Sequence, residues 1–160
     1  GNSLIAIRLI VRIQKTFGIS FPIPNIYKYK TVEAMAKIIA DDNSFSNEDI
    51  ILPINKNGTE IPIFLIHPAP GFAFPYSILS KYLKNYPIYG INDASLNNPD
   101  LSFKTIQEMA GFYLKKIIEI QQNGPYILGG WSFGGAVALE IAYQLKAINQ
   151  EVDAIIMFDS

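Results

Sequence analysis

The five residues Gly130-Trp131-Ser132-Phe133-Gly134 constrain this chain more than any other stretch. They read G-x-S-x-G. An apolar run, Pro125-Tyr126-Ile127-Leu128-Gly129, leads into them, and a helical pattern from Ala136 to Ala142 leads out. Strand, tight turn and helix in that order form the context of a nucleophile elbow. The glycines let the backbone turn sharply where a Cβ would obstruct it. The turn lifts the Ser132 hydroxyl above the sheet edge. The helix behind it aims its N-terminal N–H groups and positive dipole end at an oxyanion formed there. A plain strand-to-helix turn is the alternative, because Gly and Ser also cluster in ordinary turns. Two correct flanks weigh against it.

The bulk numbers leave room for such a domain. The chain has 160 residues, 49% of them hydrophobic and 17% charged, which is enough to bury a core. A formal net charge of −1 gives no electrostatic case for nucleic acid or for an anionic membrane. Cysteine is absent, which excludes disulfides, thiol catalysis and thiolate metal sites and makes a reducing cytoplasm the natural setting. No apolar run approaches the ~20 residues of a membrane span. No signal peptide is read, since the first residues already belong to a patterned helix.

Two patterns divide the chain. Ser3 to Phe17 carries Leu4, Ile7, Ile10, Val11 and Ile13 at helical spacing, with Ser3 as a candidate cap and Gly18 as a candidate stop. Thr31 caps a second helix over Val32 to Ala40. Two short helices joined by a Pro-containing loop make the end of a small helical bundle. Residues 41–50 begin with the acidic, aperiodic Asp41 to Asp49 and read as a linker. From residue 51 strands and helices alternate. Ile51 to Ile54 and Ile61 to Ile66 are expected to form a hairpin turning at Asn57-Gly58. Tyr76 to Leu83 reads as helix, Pro87 to Ile91 as a short buried strand, and Phe103 to Gln122 as a long amphipathic helix. The elbow strand, the elbow helix to about Leu145, and a buried strand over Val152 to Phe158 follow. This alternation predicts an α/β fold with a mostly parallel sheet and helices on both faces.

A serine hydroxyl needs a general base, and the base needs an orienting acid. Asp159 stands at the carboxyl end of its strand, 27 residues after Ser132. A triad acid and a strand-end cap suit that placement equally. The one histidine, His67, precedes Ser132, whereas α/β hydrolases order the triad as Ser, acid, His. His67-Pro68-Ala69-Pro70-Gly71-Phe72 follows a strand, where the oxyanion loop of such enzymes belongs. The Ala69 N–H could face an acyl oxyanion beside the Phe133 N–H, since Pro68 and Pro70 have none to give. A structural role for His67, holding the loop, is favoured over a catalytic one. Ser3 is an N-cap on the bland reading. On the sharper one it is a modified serine whose phosphodiester lies at a helix N-terminus.

With these stretches in view, residues 1–40 resemble the second half of a peptidyl or acyl carrier domain, through Gly1-Asn2-Ser3-Leu4, Phe17-Gly18 and Thr31-Val32-Glu33. Residues 61–160 resemble the first half of a type I thioesterase of nonribosomal peptide and polyketide synthetases. The carriers are Leu65-Ile66-His67-Pro68-Ala69, Gly124-Pro125-Tyr126, Gly130 to Gly135, Ala138-Leu139-Glu140 with Ala142, and Phe158-Asp159-Ser160. Asn2 departs from the usual Asp or His, and Pro70 from the usual Gly.

The resemblance implies an α/β-hydrolase domain over 51–160, incomplete, preceded by part of an all-α carrier over 1–40. It implies 4′-phosphopantetheine on Ser3, Ser132 as acyl acceptor, Asp159 as triad acid, Ala69 and Phe133 as oxyanion donors, and no metal. Expected partners are a phosphopantetheinyl transferase, upstream synthetase domains and an acyl or peptidyl thioester, with neither nucleic acid nor membrane, in the cytoplasm. The expected activity is release of the chain by hydrolysis or macrocyclisation. A free-standing serine esterase and a non-catalytic carrier module with an inert hydrolase-like partner are the rivals. Both ends read as cut, so the chain is expected to be a piece of a longer polypeptide. As a fragment it is expected to be inactive, with its triad histidine lying further on.

Overall fold

The computed structural model describes residues 3–17, 21, 25–26, 29, 31–40, 50–96 and 101–160. The chain divides into two compact units, Gly1–Glu48 and Asp49–Ser160. Gly18 and the acidic stretch 41–49 lie outside the described residues.

The first unit contains α1 (Ser3–Phe17) and α2 (Val32–Ala40). Ile10, Ile13 and Phe21 are buried, with Ile26, Met35, Ile38 and Ile39 packed against them. Val11, expected on the apolar stripe, faces solvent instead. The Ala34 N–H donates to Thr31 Oγ1 at 3.1 Å, so the expected cap of α2 is in place.

The second unit is built on five strands: β1 (Ile51–Asn55), β2 (Ile63–Ile66), β3 (Ile88–Ile91), β4 (Tyr126–Trp131) and β5 (Val152–Phe158). Their order is β1-β3-β2-β4-β5. Only the β1–β3 pair is antiparallel. All four residues of β2 are buried, and they alternate between the faces. Phe64 and Ile66 join the core under α3 (Ile106–Ile120) and α4 (Phe133–Ala147). Ile63 and Leu65 join the core under a 3-10 helix, Phe74–Lys81. Burial on both faces explains why the central strands read as continuous apolar runs.

The expected hairpin does not form. β1 pairs with β3, and β2 lies on the far side of β3. Pro53 within β1 lacks an N–H and suits an edge strand, whereas β2 needs partners on both sides. A type I′ turn needs positive φ at both central residues. Gly58 has φ of +142°, and Asn57 is not among the positive-φ residues. The segment crosses the start of β3 instead. Thr59 and Glu60 both donate their N–H to Asn85 O at 3.1 Å, and Asn55 Nδ2 donates to Tyr86 O at 2.8 Å.

Two helices also differ in extent from the sequence pattern. The segment expected as helix from Tyr76 is 3-10 and starts at Phe74, with Pro75 in its first turn. α3 starts at Ile106 because Thr105 caps it, accepting from the Glu108 N–H at 3.1 Å. Glu108 reaches back to the Lys104 N–H at 2.9 Å. Phe103, outside the helix, packs edge-on against Tyr113.

Leu128 is fully buried at the centre of β4, against α3 and α4. Leu128→Ala is expected to lower stability by about 2–5 kcal/mol, read by chemical denaturation.

Candidate active site

The site is built at the carboxyl ends of β2, β4 and β5. β4 ends at Trp131, and α4 begins at Phe133, so Ser132 alone makes the turn. It does so at φ 52°, ψ −119°, a conformation that a non-glycine residue rarely adopts. Two glycines make that turn possible. A Cβ on Gly130 would collide with the backbone of Gly134, and a Cβ on Gly134 would collide with the carbonyls of Ile66 and His67. The start of α4 is thus pressed onto backbone at the end of β2. Ser132 is exposed, and its hydroxyl has no hydrogen bond among the described residues. The Phe133 N–H opens the helix and so has no intrahelical acceptor.

Asp159 lies beside this turn. Phe158 and Trp131 are in register on neighbouring parallel strands, and Ser132 and Asp159 are the next residues of each. The Ser132 N–H donates to Phe158 O at 2.9 Å, which ties the two strand ends together. Asp159 is exposed and also has positive φ, 48°.

The loop after β2 forms the other wall. Pro68 O accepts from the Gly71 N–H at 2.8 Å, closing a turn around Ala69 and Pro70. Gly71 O accepts from the Asp93 N–H at 2.8 Å, and the buried Asn92 Oδ1 accepts from the Ala73 N–H at 2.9 Å. The Ala69 N–H is left without a partner among the described residues, and Ala69 is exposed.

His67 anchors that loop from below. It is 1% exposed. Nδ1 lies 2.8 Å from Pro68 O and Nε2 lies 2.9 Å from the Tyr113 hydroxyl. A carbonyl only accepts, so Nδ1 carries the proton and Nε2 accepts from Tyr113. Burial lowers the His67 pKa below its ordinary 6.5, partly opposed by the Pro68 carbonyl and the Asp93 carboxylate. The imidazole is therefore held neutral. The Tyr113 hydroxyl is pushed up, by burial first and then by Asp93.

The structure thus brings Ser132, Phe133 and Asp159 together at one edge, with the Ala69 loop following the adjoining strand β2. Ser3 belongs to the other unit, where it opens α1; its side chain and residues 1–2 lie outside the described set. The first turn of α1 holds no acidic residue, so nothing there repels a phosphodiester. Tyr113, Asn92 and Asp93 were not legible as site residues. Tyr113 reads from sequence as an apolar helix position, and only the fold reveals its hydroxyl on His67. Among the described residues, no group of three or more His, Asp or Glu is placed to hold a metal. No described helix is long and apolar enough to cross a membrane.

Known proteins match both parts of the chain. Residues 61–160 match the thioesterase domain family, and residues 1–39 match the phosphopantetheine attachment site. The chain belongs to the thioesterase domain family, with a phosphopantetheine attachment region ahead of that domain. Over its whole length it is 35% identical to a dimodular nonribosomal peptide synthase of Bacillus subtilis, of which it spans 7%. A holo four-domain nonribosomal peptide synthetase, solved with AMP and glycine, matches 98% of this chain at TM-score 0.70 and 35% identity; the chain spans 12% of it. The NocB thioesterase domain, solved in covalent complex with a fluorophosphonate nocardicin G analogue, matches 67% of this chain at TM-score 0.64 and 36% identity. The chain spans 48% of that domain. These structures bear out the expected α/β-hydrolase architecture.

The neutral His67 gives a pH prediction. The unfolded chain takes up the imidazole proton near pH 6.5, whereas the folded chain does so lower. Folding stability from this group is therefore complete above 6.5 and is lost as pH falls toward the folded pKa. Denaturation midpoints measured downward from about pH 7 should fall in the parent protein. The fall should be smaller in His67→Gln, and equal slopes would contradict the assignment.

Proposed function

We propose that this chain is the carrier-to-thioesterase portion of a chain-releasing module in a cytoplasmic synthetase. In this reading residues 1–40 are the C-terminal part of the carrier, 41–50 the linker, and 51–160 the N-terminal part of the hydrolase domain. The observation that carries it is Ser132. It is an exposed serine with an unengaged hydroxyl, forced to positive φ above the N-terminus of α4 and adjoining Asp159.

Ser3 would hold the phosphopantetheine, whose thiol, when present, bears the acyl or peptidyl chain as a thioester. The phosphate would lie at the N-terminus of α1, where the positive end of the helix dipole favours an anion. Ser132 Oγ attacks the thioester carbonyl. The N–H groups of Phe133 and Ala69 hold the tetrahedral oxyanion, which the dipole of α4 also favours. Ser132 would keep the chain as an ester, its hydroxyl proton passing through the base to the sulfur as the carbon–sulfur bond breaks. Water then releases it as an acid, or an internal amine or hydroxyl closes a ring. Asp159 orients the histidine base. That base is not His67, because both of its ring nitrogens are engaged away from Ser132. A phosphopantetheinyl transferase and upstream synthetase domains are the partners this requires.

The doubly engaged His67 also favours a rival in which the hydrolase-like unit is inert. Three measurements separate the readings. Incubation of the full-length protein with a phosphopantetheinyl transferase and coenzyme A should add one phosphopantetheine, and Ser3→Ala should remove it from this carrier. Asp159→Asn in the full-length protein should leave the fold intact and reduce release by roughly three to four orders of magnitude. The 160-residue chain by itself should not turn over a thioester, since its single histidine is occupied. Rapid Ser132-dependent release by that chain would mean that His67 is the base after all.

A further inference from the structure

The hydroxyl of Tyr76 sits where the sheet opens. Strands β2 and β4 run in parallel register from Ile63 beside Ile127 to Ile66 beside Gly130. Beyond that rung they part. The His67 N–H belongs to the β2–β3 ladder, donating to Ile91 O at 2.9 Å, so the next N–H on the β4 side would be that of residue 68. Residue 68 is a proline and cannot donate at all. At this point the Tyr76 hydroxyl accepts from the Trp131 N–H at 2.8 Å and donates to Ile66 O at 2.7 Å. Those are the two backbone groups through which a parallel ladder would close at this end. A hydroxyl can accept and donate at once, so one side chain from a third element serves both strands.

Tyr76 is well placed to hold that bridge rigidly. It is 5% exposed and belongs to the core formed with Ile63, Leu65 and Ile127. Its ring centroid lies 6.4 Å from that of Phe158, the residue before Asp159. Burial raises its pKa, so the hydroxyl keeps its proton and can donate. Trp131 is the residue before Ser132, and Ile66 is the residue before His67 and the Ala69 loop. One hydroxyl therefore touches the base of both walls of the cleft.

We propose that Tyr76 is a positioning residue for chemistry at Ser132, its hydroxyl setting the spacing between the elbow and the loop that carries the Ala69 N–H. This rests on the reading of Ser132 as the acyl acceptor. Without the hydroxyl, Trp131 N–H and Ile66 O are free to approach each other or to take up water, and either changes the gap. A displacement of about 1 Å between reacting groups costs about 100-fold in rate. Binding of the acyl chain away from the reacting carbon is unaffected, so the loss falls on kcat rather than KM.

The test uses the full-length protein, an acyl N-acetylcysteamine thioester as substrate, and a fluorophosphonate probe to titrate reactive serine. Tyr76→Phe keeps the ring and is expected to lower kcat per titrated site by about 10- to 100-fold, with KM within about twofold of the parent. Titration removes any contribution from a partly unfolded sample. An unchanged kcat per titrated site, or a loss confined to KM, overturns the proposal. If Tyr76→Phe does not fold, 3,5-difluorotyrosine at position 76 keeps the shape and lowers the phenol pKa. Its kcat should then fall as pH rises through that titration, where the parent's does not, because a phenolate cannot donate to Ile66 O. Identical pH profiles overturn the proposal. Fluorophosphonate labelling that persists in Ser132→Ala, or is absent from the parent, refutes the reading of Ser132 itself, and the role of Tyr76 with it.

Discussion

The second unit depends on one close approach of backbone to backbone. Gly134, in the first turn of α4, lies against the carbonyls of Ile66 and His67, and Gly130 lies against Gly134. No side chain fits at either position. The crossing fixes where α4 starts relative to β2, and therefore where Ser132 is exposed. It also leaves a single residue to join β4 to α4, and that residue accepts the strain of positive φ. Such strain costs on the order of 1–3 kcal/mol and persists only where the surroundings over-determine it. Here the surroundings are two packed helices on one face of the sheet and the Ser132 N–H held by Phe158 O.

The wall opposite the elbow is held by hydrogen bonds as well as by the apolar packing of Ala73. Pro68 and Pro70 remove two donors from the loop, so its order comes from the groups that remain. Gly71 and Ala73 donate, Pro68 and Gly71 accept, and Asn92, Asp93 and His67 supply the partners. Each bond contributes only about 1 kcal/mol net. Leaving buried Asn92 or His67 unpaired would cost more than that, so the network is in effect all-or-none. Its satisfaction leaves the Ala69 N–H among the loop's unspent donors.

The sequence alone disclosed the local parts of this arrangement. The elbow is a local motif: its glycines, its serine and both flanks lie within about twenty residues, and all were legible. Thr31 as a cap and Val152–Phe158 as a strand were legible for the same reason, although β5, expected to be buried, is half-buried to exposed because it ends the strand order. What depended on distant partners was not. The Asn57-Gly58 signal is real turn chemistry, but the partner of β1 was decided by burial of β2 on both sides. Tyr113 meets His67 across 46 residues of sequence, and Tyr76 meets Trp131 across 55. Both tyrosines carry the pattern of buried helix positions, and neither hydroxyl announces its acceptor.

The topology explains why these pieces converge where they do. The chain leaves β2 on the face of the 3-10 helix to build β3, and it leaves β4 on the opposite face through α4. Connections that depart to opposite faces open a crevice outside the carboxyl ends of the strands between them, which is where open α/β sheets bind ligands. A crevice made that way has a weakness. The strands that line it lose their mutual hydrogen bonds where they diverge, and the unpaired backbone groups lie beside the reacting residue. The pair between Ile66 and Trp131 falls to the hydroxyl of Tyr76, while His67 and Ser132 continue the outer ladders, donating to Ile91 O in β3 and Phe158 O in β5. The opening that admits a substrate and the bonds that keep it from collapsing thus come from the same change in chain direction.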